Sequence, residues 1–340
     1  MNIILNLFDE QFVLKLFRKR ILPKYPSFAE VKKIEIIPVK KQIWDTTYHV
    51  VIEFKTTFLT IEGKRTTLPI FCTAHSSEPR RNVYTVLKYL WDHSFARGSL
   101  TIPHPLFYSN TFRATFYRGV KGKNLKHYIQ DRDYETIRIV TAKAANWFAK
   151  LHKLPVDKAL NFNRANSRVK TAIPGAKKIL EKFQSRFPQK YPIIKSMYEQ
   201  IIKKEEDFFR STSQRWLIHG DAHPENVIPV GKHKLVVVDF ADFCLADFAR
   251  DIGSFLQQFE YMSQSLIDDK NFIDSTKNLF LQTYANRAKI NIDKALLARI
   301  NNYYYWTALR TVAYFALKSQ PDPDRAFMLL DWLTDKMQLK

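Results

Sequence analysis

Apolar and polar positions change period along the chain, and each change marks an element. Residues 9–22, DEQFVLKLFRKRIL, repeat apolar side chains at Phe12, Val13, Leu16, Phe17 and Ile21, the spacing of an amphipathic helix. Lys15, Arg18, Lys19 and Arg20 make its polar side basic. Peripheral contact with an anionic lipid surface is one role for such a face; packing against a small neighbouring lobe is the favoured one. Segments 33–43, 47–59 and 66–75, rich in Ile, Val, Thr, Tyr and Phe, read as strands. A helix over 80–96 and strands near 105–108 and 112–118 follow, with Arg118-Gly119-Val120 at a crossing into a second lobe. Beyond it the helical period dominates: 123–130, 133–153, 174–186 and 190–211, then short strands within 216–240, then 249–262, 272–287, 292–318 and 323–338. Residues 155–173 form a polar connector. The pattern predicts an α+β protein of two lobes. Residues 1–118 form a small antiparallel sheet with helices, and 119–340 a mainly helical lobe carrying hairpins at 216–240.

The densest chemistry lies in WLIHGDAHPENVIPVGKHKLVVVDF, residues 216–240. An apolar strand delivers His219, Gly220 and Asp221; Asn226 follows five residues after the aspartate; a second strand, Leu235 to Val238, ends at Asp239-Phe240. An acid, an amide five residues on and a second acid after the next strand are the metal-and-base set of kinase-type phosphoryl transfer, which needs positioning and charge cancellation more than covalent chemistry. Asp221 suits a base within reach of an acceptor hydroxyl. The Asn226 amide oxygen and the Asp239 carboxylate are hard donors of the kind Mg²⁺ takes. A strand–loop–strand hairpin is expected to bring the three together. As an ordinary turn, His-Gly-Asp would explain neither Asn226 nor Asp239.

HGDAHPENVI followed by VVVDFADFCLADFARDIGSFL resembles the aminoglycoside phosphotransferase and choline kinase superfamily of small-molecule kinases, which have a protein-kinase-like fold. The resemblance implies Asp221 as catalytic base, with His219 orienting its loop. It implies Asn226 and Asp239 as Mg²⁺ ligands and ATP or GTP as the phosphate donor. It also places Asp251 as a brace for the loop and Asp247 just before it; helix N-capping suits both positions as well. His223 and Pro224 match the family's loop, where His223 reads as loop-shaping and Glu225 replaces a residue that is often Gly. Gly220 stands where protein kinases carry the Arg that answers a phosphorylated activation loop. Only seven residues separate Asp239 from Asp247, so a small-molecule acceptor is favoured over a protein one.

The resemblance breaks in the first lobe. Kinases hold the phosphates with a Lys on the third strand, paired to a Glu on the following helix. Here Thr73 and Thr85 occupy those places. No glycine lies at the turn between the first two strands; Lys40 and Lys41 stand just ahead of it. Nucleotide contacts therefore fall to Thr73 and Lys40, with Arg118 and Val120 at the crossing. Lys40 and Lys41, or His75 on the same strand face as Thr73, are candidate substitutes for the missing charge. The main alternative is a catalytically impaired, pseudokinase-like binding module. A metallohydrolase using His219, Asp221 and His223 would leave Asn226 and Asp239 idle.

Composition adjusts this picture only at its edges. A chain of 340 residues, 46% hydrophobic, can bury a sizeable core. Cys72 and Cys244 show no metal-ligand spacing, MNIILNLF lacks the marks of a signal peptide, and no run of 18 apolar residues occurs, so a cytoplasmic protein is expected. The most apolar helix is interrupted by Arg310. A formal charge of +21 would suit nucleic acid, but no nucleic-acid signature accompanies it, and that partner is disfavoured. The charge argues against a polycationic aminoglycoside and for a neutral or anionic acceptor such as a sugar, a phosphorylated sugar or a cell-envelope glycolipid; the broader acceptor class is a sugar, an amino alcohol or a related metabolite. Tyr303 to Trp306 are candidate pocket residues, at least two of them expected in the core.

Overall fold

Burial alternates residue by residue from Tyr48 to Phe58 in the computed structural model, which describes residues 2–78, 80–156 and 162–339. That period-two pattern is a strand with one face on a core. The chain divides into two compact units, Met1–Gly122 with Ile228–Ala241, and Lys123–Val227 with Asp242–Lys340.

After a 3₁₀ segment, Ile3–Phe8, the first unit carries the predicted amphipathic helix, α1 (Glu10–Arg20), capped by the Asp9 carboxylate, which accepts from the Phe12 N–H at 2.7 Å. Strands β1 (Phe28–Ile43), β2 (Tyr48–Thr60) and β3 (Arg65–His75) pair antiparallel in sequence order. Helix α2 (Arg81–Leu90) follows, extended by a wider turn to Phe95 in which Ser94 takes φ +74°. After β4 (Leu100–Thr101), strands β5 (His104–Ser109) and β6 (Ala114–Arg118) complete a five-stranded sheet in the order β1-β2-β3-β6-β5. Val13 and Phe17 of α1 are fully buried against Phe54 and Phe116 of the sheet. This packing uses the apolar face that the sequence offered for a lobe contact.

The second unit holds α3 (Leu125–Gln130), α4 (Tyr134–His152), α5 (Ala176–Arg186) and α6 (Tyr191–Ser211), then β7 (Trp216–Ile218). Strands β8 (Val227–Val230) and β9 (Lys234–Val237) lie largely in the first unit, and β10 (Cys244–Ala246) begins the return to the second. Helices α7 (Ala249–Gln264), α8 (Lys270–Ala288), α9 (Lys294–Leu317) and α10 (Pro323–Met337) finish the chain. Phe148 of α4, Phe255 of α7 and Phe280 of α8 meet in the core, the last two stacked at 4.6 Å. Among the described residues no helix is long and apolar enough to cross a membrane.

Two expectations change. The sequence boundary at 118/119 put all of 216–240 in the second lobe, whereas 228–241 belong to the first unit. The reason is a parallel pairing of β9 with β4, Leu100 with Leu235 and Thr101 with Val236, for which a two-residue strand gives no local signal. Of the polar connector, residues 157–161 lie outside those described; Arg164–Ser167 form a short 3₁₀ turn.

Candidate active site

The single hairpin expected around Asp221 is replaced by two strand pairs. β7 pairs with β10, Ile218 opposite Cys244, while β8 pairs with β9. Asp221 and Asn226 therefore lie on the passage from β7 to β8, and Asp239 follows β9. Gly220 has φ +83°, and a Cβ there would lie 2.3 Å from the Asp242 carbonyl oxygen. Glycine at this position is a steric requirement of the loop.

Asp251, in the first turn of α7, turns both carboxylate oxygens onto that loop. Oδ2 accepts from the His219 backbone N–H at 2.7 Å and Oδ1 from that of Gly220 at 2.9 Å. The His152 ring lies 3.1 Å from Oδ2, and its other nitrogen is 2.8 Å from the Tyr284 hydroxyl. Burial opposes ionisation of Asp251, yet the His152 hydrogen bond, the charge of the imidazoles and the Gly220 N–H hold its carboxyl below the usual range. Arg250 donates to the carbonyls of Gly220, at 3.1 Å, and of Asn166. Asp247 accepts from the Ala249 N–H at 3.1 Å at the start of α7, whose N-cap position is Phe248, and Arg299 lies 3.3 Å from its other oxygen. Burial raises its pKa. Of the two acids, Asp251 is the one bonded to the loop.

His219, grouped by sequence with the catalytic base, is fully buried with its ring edge-on to Trp147 and Phe148. Its Nδ1 accepts from the Asp221 N–H at 3.3 Å. It positions the loop rather than facing the cavity, and it cannot join Asp221 and His223 around a metal. Asn226 donates its amide nitrogen to the Asp221 carbonyl at 2.9 Å and lies 3.3 Å from Asp221 Oδ2 and 3.0 Å from His223 Nε2. No group among the described residues donates to Asn226 Oδ1, which leaves that oxygen for a hard cation. His223 also accepts from the Glu225 N–H at 3.3 Å, as a loop-shaping residue should, and Glu225 pairs with Lys126 at 2.7 Å. Burial opposes ionisation of Asp221, but the His223 hydrogen bond, the charge of His223 and His219, and the Asn226 bond outweigh it. Its carboxyl sits well below the usual carboxylate range.

Asp221 and His223 open into a cavity of about 750 Å³ within the second unit. Trp306, Tyr314 and Phe315 supply apolar wall; Asp242, Arg310 and Arg325 supply charge. The Arg310 guanidinium donates to the carbonyls of Ala172, Ile173 and Pro174 at 3.3, 2.8 and 3.5 Å, and lies over Trp306 at 5.1 Å. Asn166 donates to Asp242 at 2.5 Å. Arg325 covers Phe315 at 4.3 Å and donates Nε to the Tyr261 hydroxyl. Of the four-aromatic run, Tyr303 and Trp306 are buried, Tyr303 bonding Glu205 at 3.3 Å and Trp306 also facing the cavity. Sequence reading missed Arg250 and Arg325; Arg310 alone left a signal, as the charge that breaks an apolar helix.

The remaining candidates lie in the first unit. Asp239 is exposed, adopts φ +64°, and no hydrogen bond or ion pair among the described residues reaches its carboxylate. An aspartate tolerates this left-handed conformation better than most side chains, and an unpaired carboxylate there is a suitable donor to Mg²⁺. Thr73 and Lys40 share the half-buried face of the sheet, aligned through Val51. Arg118 and Val120 line a different cavity of about 320 Å³, with Leu68, Pro69 and Val236, so the structure does not bring them together with Thr73 and Lys40.

A sequence model of the phosphotransferase enzyme family matches residues 45–287. The chain belongs to this family. No curated protein matches it. Among solved structures, an ethanolamine kinase of Plasmodium vivax is similar at 13% identity and TM-score 0.55, over 88% of this chain and 81% of the other. A spectinomycin phosphotransferase in complex with ADP and spectinomycin is similar at 13% identity and TM-score 0.54, over 96% and 94%. An amicoumacin kinase in complex with AMP-PNP and Ca²⁺ is similar at 15% identity and TM-score 0.57, over 97% and 93%. At these identities the likeness establishes the kinase-like fold of a phosphotransferase family member; its substrate is a separate matter.

Proposed function

We propose that this phosphotransferase family member transfers the γ-phosphate of ATP to a hydroxyl of a small neutral or anionic molecule. The observation that carries the reading is the Asp221 carboxylate, held ionised on a loop braced by Asp251 and open to the 750 Å³ cavity. In the loose transition state of phosphoryl transfer the acceptor proton leaves late, so a weakly basic, firmly placed carboxylate suffices to orient the hydroxyl and then receive its proton. Asn226 and Asp239 each offer an oxygen that no group among the described residues binds, and by the family resemblance each is a donor suited to Mg²⁺. Bound there, the metal would neutralise charge on the phosphate oxygens. ATP as donor is supported by the nucleotides bound in similar kinases.

The cavity speaks to the acceptor. Glu225 is ion-paired with Lys126 and Asp242 accepts from the Asn166 amide, while Arg310 and Arg325 lie over aromatic faces at the cavity wall and Arg250 also lines it, so cationic side chains outnumber the carboxylates there. Such a surface suits a ring-bearing acceptor with a neutral or negative substituent, and repels a polycation. An ATP-consumption screen over sugars, sugar phosphates, amino alcohols, nucleosides and antibiotic amines tests the reading, with Asp221→Asn as blank. Turnover should appear with at least one neutral or anionic acceptor and fall about a thousandfold in Asp221→Asn. Turnover confined to polyamines, or undiminished in the variant, contradicts it.

A further inference from the structure

The place where kinases carry the phosphate-binding lysine is Thr73 in this chain, and the sheet around it has a particular order. The register aligns Lys40 of β1, Val51 of β2, Thr73 of β3 and Thr115 of β6 in one row, and Gln42, His49 and His75 in the next. Directly opposed residues of antiparallel strands project to the same side. These rows therefore lie on the face opposite the α1 core, where Val50, Ile52, Cys72 and Ala74 are buried. Strands are spaced about 4.8 Å apart, so Lys40 stands ~10 Å from Thr73, with only the short Val51 side chain between them. A lysine stem can bridge most of that gap.

Lys40, Arg80 and two imidazoles gather around this row. The His49 and His75 rings lie 4.6 Å apart. Burial, then the charges of Lys40, His75 and Arg80, push the His49 pKa down to about 4, with Glu78 the acid that opposes them. Arg80, just before α2, has a side chain only 15% exposed and a buried Nε with no partner among the described residues; its ion pair with the largely exposed Glu78 spans 3.7 Å. Its backbone carbonyl accepts from the Thr115 hydroxyl, which fixes the passage from β3 to α2 to the row. On α2, Thr85 spends its hydroxyl on the Arg81 carbonyl at 2.9 Å, leaving no acid there to hold a lysine on β3. Lys40 and Arg80 supply positive charge, and the neutral imidazoles, His75 with its Nδ1 already accepting from the Ser77 and Glu78 N–H groups, offer ring N–H donors to an anion.

We propose that Lys40 takes over the phosphate grip of the absent third-strand lysine, reaching across Val51 to the Thr73 position, with His49, His75 and Arg80 flanking the same anion. This rests on the phosphotransferase reading and adds to it the residues that hold the nucleotide's phosphates. Lys41, the next residue, is the internal control: it pairs opposite Val50 and lies over the Phe8 ring at 4.8 Å, on the other face.

Calorimetric titration of the full chain with ATP and with adenosine, both with Mg²⁺, tests the assignment. Lys40→Ala should weaken ATP about tenfold or more while leaving adenosine unchanged, Lys40→Arg should retain most of the ATP affinity, and Lys41→Ala should match the wild type. His75→Gln, which keeps a polar ring-sized group on the same face, should weaken ATP by a smaller factor. Equal binding of ATP by Lys40→Ala and wild type overturns the proposal while leaving the phosphotransferase reading intact. Equal weakening of ATP and adenosine overturns it too, because the effect is then not on the phosphates. A wild-type chain that binds no ATP overturns both.

Discussion

The loop that carries Asp221 and the sheet face that carries Thr73 treat charge in opposite ways. Around the loop the buried charges lie close to opposite charges or backbone dipoles: Asp251 holds two backbone N–H groups and His152, Arg250 reaches two carbonyls, and Arg299 faces Asp247. On the sheet face, Lys40 and Arg80 flank the imidazoles of His49 and His75, both pushed toward the neutral form by burial, and the ion pair of Arg80 with the largely exposed Glu78 spans 3.7 Å. A densely connected network holds one geometry, since unanswered buried charge is costly. A face with two cations beside imidazole donors and few anions is the kind that an anionic ligand completes. In the reading proposed above, the first region is ordered for chemistry and the second for binding.

The strongest way to break this contrast is to open the densely connected network. Asp251→Ala removes the brace and strands His152 and two N–H groups, so unfolding stability should drop by about 3 kcal/mol or more, read from the urea midpoint. An unmoved midpoint would show that the loop does not depend on its brace. Arg325→Ala tests the cavity wall with a smaller effect. It should raise KM about tenfold for an acceptor bearing a carboxylate or phosphate and leave kcat unchanged, and an equal rise for the neutral analogue would remove the charge argument.

The smallest effect compares the acid response of the two units. Burial pushes Glu205 up to about 7, opposed by the Val169 N–H and by Arg250, Arg168 and Tyr303. Between about pH 4.3, its unfolded value, and pH 7 the folded chain keeps a proton that the unfolded chain releases. This contribution is complete below the unfolded value and is lost as pH rises toward 7. His49 and His104, both pushed down to about 4 chiefly by burial, act the other way, and their contribution is lost as pH falls from about 6.5 toward 4. In melts at pH 5 and pH 7.5, Glu205→Gln should match the wild type at the lower pH and exceed it at the higher. His104→Gln should flatten the decline on the acid side. Parallel curves for all three would mean that these groups do not set the pH response.

Legibility in the sequence followed the range of the interactions. Asp221, Asn226 and Asp239 fall within one short stretch, and their spacing singles them out as candidates. The long strands and helices were read because their burial repeats locally, as from Tyr48 to Phe58. The pairing of β7 with β10 and of β4 with β9 was not legible, because it joins strands of two to four residues whose partners are distant. Lys40 could be suspected only as a nearby charge; its alignment with Thr73 depends on the registers of two strand pairs, one containing bulges. Arg250 sat beside Asp251 without a mark of its role, since the carbonyls it reaches belong to residues 30 and 84 positions away.

The central claim is a Mg²⁺-dependent nucleotide site, and thermal melting with millimolar ATP addresses it directly. A ligand that binds only the folded chain raises the melting temperature by mass action. The account predicts a rise with ATP and Mg²⁺ together, a smaller one when the metal is chelated, and loss of the Mg²⁺-dependent part in Asp239→Ala. No rise with ATP and Mg²⁺, or the same rise in Asp239→Ala, would contradict it.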